Sequence, residues 1–447
     1  VTFRTSLCRS FSGALLSLSL SAGQALADNA STEPVFTPVK FGKTSFYANK
    51  DVLNKIGPIA PILTRIAGQD IVFLDPKNTP RITLDEWAKI PAVQNLWTAK
   101  LSGGAGALFF APHLSDWQGG TLLREFQERV DNLKTVPGFF ASNIGTGKEG
   151  FGCFLLGDPN TDTNAFAQEI GAIPDSLVTD KFRQYFSDSF SLLFYALGHE
   201  AGHCPQNYNV REQVVSLGPL VTGRKTLEFE MDADSTSAKF YAETVTQKPD
   251  LKLDPDIPGK IQKLRVLAPF LAQSADSASY FSNFARYLGH ATGLTPSNDT
   301  PAAEKALSSI TSTIHTNFLI RATLYEVEAF GLTGQKPQPP LGRLNFVWHS
   351  IQNHPENLYY AAKALHNAAK SNKIDLPNAT REGLQAFCDA WEQVGLFQNA
   401  EKVSAYEATF EKAVLQKGGI QALSLLNDLL SPQKISSFSP VYRSQNL

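Results

Sequence analysis

Apolar residues recur along this chain with two different periods, separated by stretches rich in Gly, Pro and Asn. Short apolar runs bounded by such residues occupy 70–75 (DIVFLD), 106–113 (GALFFAPH), 138–142 (GFFAS) and 150–158 (GFGCFLLGD), the pattern of β-strands. The stretch 120–134 (GTLLREFQERVDNLK) instead sets Leu122, Phe126 and Val130 on one stripe against charged neighbours, which predicts a helix. Residues 28–160 therefore read as an α+β region. Beyond Asp175 the helical period takes over. Residues 187–203 (SDSFSLLFYALGHEAGH) open on Ser187 and Asp188, both suited to an N-cap, and set Phe190, Leu193, Phe194 and Leu197 on a buried side. Pro205 stops this helix, because it has no N–H to donate and its ring clashes with the preceding turn. Further helices are expected over 226–245, 258–275, 302–330, 356–370, 379–392 and 400–426. The Pro- and Gly-rich stretch 331–342 separates a helical region over 161–330 from a helical C-terminal region over 343–447.

The first 27 residues follow another logic. Arg4 and Arg9 lead into an apolar, serine-rich core from Phe11 to Leu20, and Ala25-Leu26-Ala27 offers small residues for cleavage before Asp28. That predicts a signal peptide over 1–27 and an exported protein, periplasmic or secreted. No later run reaches the roughly 18 apolar residues that a membrane span needs. The formal net charge is −2, and losing Arg4 and Arg9 takes it to −4. Such a balance gives no electrostatic reason to bind nucleic acid or an acidic membrane. Beyond the leader the cysteines are Cys153, Cys204 and Cys388, an odd set that permits at most one internal disulfide.

Chemistry concentrates at His199-Glu200-Ala201-Gly202-His203. Two histidines four apart on a helix share a face, where both imidazoles can chelate one ion. Glu200 points to a neighbouring part of that face, where a carboxylate reaches water without ligating the metal. Zinc lowers the pKa of water and stabilises the developing oxyanion, while the carboxylate takes the proton. A third ligand is required, and the downstream helix 226–243 (TLEFEMDADSTSAKFYAE) supplies candidates. Glu230 can bring an anionic oxygen, and Asp234, one turn later, can accept the other N–H of a ligating histidine, His199 for preference. Glu228 and Asp232 make the same spacing two positions earlier. Ala233, Ser235, Thr236 and Ser237 favour the Glu230 register, since small residues let this helix approach the first closely.

Glu230-Met231-Asp232-Ala233-Asp234 resembles the Glu-x-x-Ala-Asp element that follows His-Glu-x-x-His in gluzincin metallopeptidases. The resemblance covers only about 199–234. It implies a zincin-like α+β fold, Zn2+ held by His199, His203 and Glu230, Glu200 as general base and Asp234 as the partner behind a ligand. It also implies a donor for the tetrahedral oxyanion from a later helix, for which His290, His315, Tyr241, Tyr280 and Tyr287 are available. Gluzincins lay the substrate along an edge strand before the metal helix, and GALFFAPH or GFGCFLLGD could be that strand, or equally a core strand.

Weaker motifs remain. NIGTGKEGFG, 143–152, has Glu149 where a phosphate-binding loop needs Ser or Thr after the lysine, and reads as a turn between strands. Cys204 adjoins His203, but adjacent helical side chains point about 100° apart, which disfavours a thiolate ligand there. The expectation is an exported zinc endopeptidase acting on a peptide or protein substrate. Two alternatives stand beside it: a binding or structural protein with a zinc staple or a decayed site, and a zinc hydrolase of some other amide or ester.

Overall fold

The computed structural model describes residues 37–75, 138–144, 152–205, 219–271, 315–328, 347 and 349–416. The leader expected over 1–27, the strand over 106–113, the helix over 120–134 and the linker over 331–342 lie outside these residues. Within them the chain is α+β, with one N-terminal sheet and a mostly helical remainder.

The sheet has five strands in the order β1-β2-β3-β5-β4, with β1 Thr37–Phe41, β2 Thr44–Ala48, β3 Ile71–Leu74, β4 Phe139–Ile144 and β5 Gly152–Gly157. β1 and β2 form an antiparallel hairpin; β2, β3 and β5 run parallel; β4 returns antiparallel on β5. β3 is apolar at every position and buried at every position, as a central parallel strand covered on both faces must be. Helices α1 (Lys50–Ile56) and α2 (Ala60–Ala67) form the crossover from β2 to β3. GFGCFLLGD is an internal strand, paired on both sides, which makes it the core strand of the two possibilities and not the edge strand; the edges of the described sheet are β1 and β4. The glycine-rich 145–151 joins antiparallel β4 to β5, whereas a phosphate-binding loop would lead from a strand into a helix.

Beyond the sheet come α3 (Thr163–Gly171), α4 (Asp180–Tyr185), α5 (Ser189–His203), α6 (Pro219–Gln247) and α7 (Ile257–Leu271). Helix α8 covers 315–325, and α9 (Asn357–Lys370), α10 (Asn378–Val394) and α11 (Ala400–Phe410) complete the set. α6 begins at Pro219, well before the expected 226, since Pro is favoured at a first helical position, where its missing N–H has no intrahelical partner to lose. The expected helix over 400–426 is instead α11 followed by a π-turn over Glu411–Leu415, with the remainder outside the described residues.

Two compact units result, and their division falls within α7. The first holds everything described up to Ile170 together with Phe186–Gln262; the second holds Gly171–Tyr185 and the described residues from Lys263 onward, including α9, α10 and α11. In the second unit Trp391 stacks on Tyr359 at 5.3 Å and lies 5.7 Å from Phe387, the centre of an aromatic core between α9 and α10.

In the first unit α5 is buried almost all round, not on the single stripe expected, because α2, α6 and β4 pack on different sides of it. Its start is fixed by a polar knot. Asp188 caps the Ser191 N–H at 3.0 Å and accepts the Ser191 hydroxyl at 2.7 Å; that same hydroxyl accepts the Asp254 N–H at 2.9 Å. Tyr241 donates to the Asp254 carbonyl at 2.7 Å, and Lys260 holds the Asp254 carboxylate at 2.7 Å. Burial pushes the Asp254 carboxyl pKa up, but Lys260 and the Asp256 N–H outweigh it and leave the value lowered. A lowered carboxyl stabilises the fold above its unfolded pKa of about 3.9, and that contribution vanishes as pH falls through the folded value. Asp254→Asn should therefore destabilise by about 1 kcal/mol near neutrality, with the deficit shrinking toward about pH 2. Urea denaturation of both proteins across that range checks it, and a deficit independent of pH would contradict the ion-pair account.

Candidate functional site

The centre of the site is the crossing of α5 and α6, made possible by four small residues. Gly198 and Gly202 on α5 face Ser237 and Ala233 on α6. A Cβ on Gly202 would lie 2.9 Å from the Ala233 Cα and 3.2 Å from its carbonyl oxygen; one on Gly198 would lie 2.7 Å from the Ser237 Oγ. That hydroxyl is already engaged, donating to the Tyr195 carbonyl at 2.8 Å. Backbone thus meets backbone with nothing larger than a methyl or hydroxymethyl between them, and this closeness brings Asp234, next to Ala233, within reach of His199.

Asp234 Oδ1 lies 2.6 Å from His199 Nδ1, and both side chains are largely buried. A carboxylate there accepts the Nδ1–H, which leaves Nε2 as the ring nitrogen on the side away from Asp234. His203 meets it: the two Nε2 atoms are 3.1 Å apart, with the ring planes at 87°. Two zinc–nitrogen bonds of about 2.0–2.1 Å at a tetrahedral angle separate their nitrogens by roughly 3.3 Å. The imidazoles are therefore spaced for chelation, and the donor set suits a borderline-soft divalent ion. Glu200 follows His199 on α5 and is only partly buried.

Asp232 is exposed while Asp234 faces α5, which separates the two possible registers on α6. Glu230 and Glu228 precede Asp234 and Asp232 on α6 by four residues each. The side chains of Glu228 and Glu230 lie outside the described residues. Among the described residues no group of three or more His, Cys, Asp or Glu is gathered for a metal, since Asp234 sits on the far nitrogen of His199.

The candidate oxyanion donors fare differently. His290, Tyr280 and Tyr287 lie outside the described residues. His315 is the first described residue of α8, in the second unit, where burial lowers its pKa. Tyr241 is buried beneath α5, stacked on Phe194 at 5.3 Å with its hydroxyl committed to the Asp254 carbonyl, so packing occupies it. A cavity of about 300 Å³ beside the N-terminal half of α5, lined by Phe139, Phe166, Leu193 and Lys55, includes none of the candidate site residues.

Cys204 is bonded to Cys153, so its sulfur is no thiolate ligand. The bond ties β5 to the residue after His203 and spans 51 residues of chain, which stabilises the fold by about 4 kcal/mol in the chain-entropy picture. Three pairings were open to Cys153, Cys204 and Cys388, and nothing in their spacing selects this one. Glycines four apart on one helix opposite Ala233 and Ser237 on another are a readable signal for close packing, one that the histidine motif overshadows. No protein-family model, curated protein or solved structure matches this chain.

Gly202→Ala tests the crossing. Alanine gains roughly 1 kcal/mol over glycine within a helix, whereas overpacking against rigid backbone costs about 1–3 kcal/mol. The variant should be less stable than the parent by denaturant titration. Equal or greater stability would show that the helices can part at little cost.

Proposed function

We propose that this chain is a zinc-dependent endopeptidase of gluzincin type, exported and acting on peptide or protein substrates. One observation carries the reading: two Nε2 atoms converge at 3.1 Å on one side of a histidine whose Nδ1 is held by a buried carboxylate. The α5–α6 crossing supports Glu230 as third ligand, four residues before Asp234 on α6.

A zinc ion at this position supplies Lewis-acid polarisation of the scissile carbonyl and makes water acidic enough to attack at neutral pH. His199 and His203 would hold the ion through Nε2. Asp234 keeps the proton of His199 on Nδ1, so that the nitrogen facing the ion retains its lone pair. Glu200 takes the proton of the attacking water and delivers it to the departing amide nitrogen. β1 and β4 are the two edges of the described sheet, and of these β4, antiparallel to its neighbour, is packed on α5. An extended peptide can add to such an edge through main-chain hydrogen bonds, and this arrangement supports the zincin-like reading of the fold. The Cys153–Cys204 bond supports an oxidising compartment, in keeping with the leader over 1–27. No described helix is long and apolar enough to cross a membrane.

Glu200→Gln keeps the shape and removes the base. With a peptide library and cuts mapped by mass spectrometry, kcat/KM should fall by about 10²–10⁴ while one equivalent of zinc is retained. Undiminished cleavage by this variant would eliminate the mechanism.

A further inference from the structure

His203 is the last residue of α5, and helix ends are where backbone opens most readily. It must nevertheless keep its Nε2 within chelating distance of the one on His199, a tolerance well under 1 Å. Two contacts on the very next residue meet that demand. The Cys204 sulfur is bonded to Cys153, which is buried within β5. The Cys204 carbonyl accepts the Gln69 Nε2–H at 2.7 Å, and Gln69 belongs to the turn between α2 and β3. That turn is itself pinned: Asp70 accepts the Cys153 N–H at 2.9 Å through its carbonyl and the Ser45 N–H at 2.7 Å through its carboxylate. The end of the metal helix is thereby fastened to three neighbouring strands of the sheet, β2, β3 and β5, at one point.

We infer that the Cys153–Cys204 disulfide, with Gln69, is the positioning device for His203, so that tight metal binding is conditional on oxidation of this pair. This rests on His199 and His203 being the metal ligands. Oxidation joins the two sulfurs with loss of two electrons and two protons to a thiol–disulfide exchange partner of the oxidising compartment; reduction returns two thiols and frees the helix end. In a reducing compartment the chain then holds zinc weakly, and full occupancy comes with the formation of the bond. Both sulfurs are fully buried in the folded state, so the bond, once made, is shielded from exchange.

Zinc affinity of the full chain by chelator competition tests this, on the native protein, Cys153→Ala/Cys204→Ala, Cys388→Ala and Gln69→Leu. The double variant, shown folded by circular dichroism at the assay temperature, should bind zinc about 10–100-fold more weakly, and excess zinc should restore most of its turnover. Cys388→Ala, in the second unit, should match the native protein. Gln69→Leu keeps the disulfide and should lose several-fold in affinity, which preserves the test if the double variant does not fold. A merely structural bond would lower the unfolding midpoint and leave affinity within about twofold in both variants, and that result would overturn the inference. Failure of the underlying reading looks different: the native protein would then bind zinc no better than His199→Ala/His203→Ala.

Discussion

The approach of α5 to α6 is the constraint on which the rest of the site depends. The meeting of Asp234 with His199 depends on a close approach in which a Cβ on Gly202 would lie 2.9 Å from the Ala233 Cα and one on Gly198 would lie 2.7 Å from the Ser237 Oγ. With larger residues there, Asp234 would retreat from His199, and the imidazole would lose both its fixed tautomer and its direction. Packing energy is thus converted into ligand geometry. The two helices are held together by burial of α5 on nearly all sides, so the cost of separating them falls on the whole first unit.

Much of this was legible in the residues, and the exceptions have physical causes. The strands at 71–74, 139–144 and 152–157 announce themselves as apolar runs between breakers, and α5 shows its cap, its length and its stop. The meeting of Asp234 with His199 follows from helical spacing plus a run of small residues. Strand order could not be read, because pairing is decided by distant partners; GFGCFLLGD looks equally like an edge or a centre until β3 and β4 are placed beside it. The early start of α6 was hidden by Pro219 and Gly223, whose usual role as breakers is overridden at a helix N-terminus. The choice of Cys204 over Cys388 as partner for Cys153 likewise needs the fold, since loop length alone favours neither strongly.

The first unit therefore combines three devices around one face of α5. The polar knot of Asp188, Ser191 and Asp254 fixes the helix start. The small-residue crossing fixes its middle, and the disulfide with Gln69 fixes its end. A helix held at three points along fifteen residues carries its two imidazoles as a rigid pair, which is what pre-organised chelation demands. Glu200, set between them in the chain, is only partly buried and keeps contact with solvent.

The central claim is that His199 and His203 present Nε2 to a single zinc ion with no sulfur in its shell. X-ray absorption at the zinc edge, on the full chain loaded with one equivalent of metal, tests it most directly. The account predicts nitrogen and oxygen scatterers at about 2.0–2.1 Å, with the signature of two imidazole rings that falls to one in His203→Ala. A sulfur shell at about 2.3 Å, or a spectrum without imidazole, would contradict it.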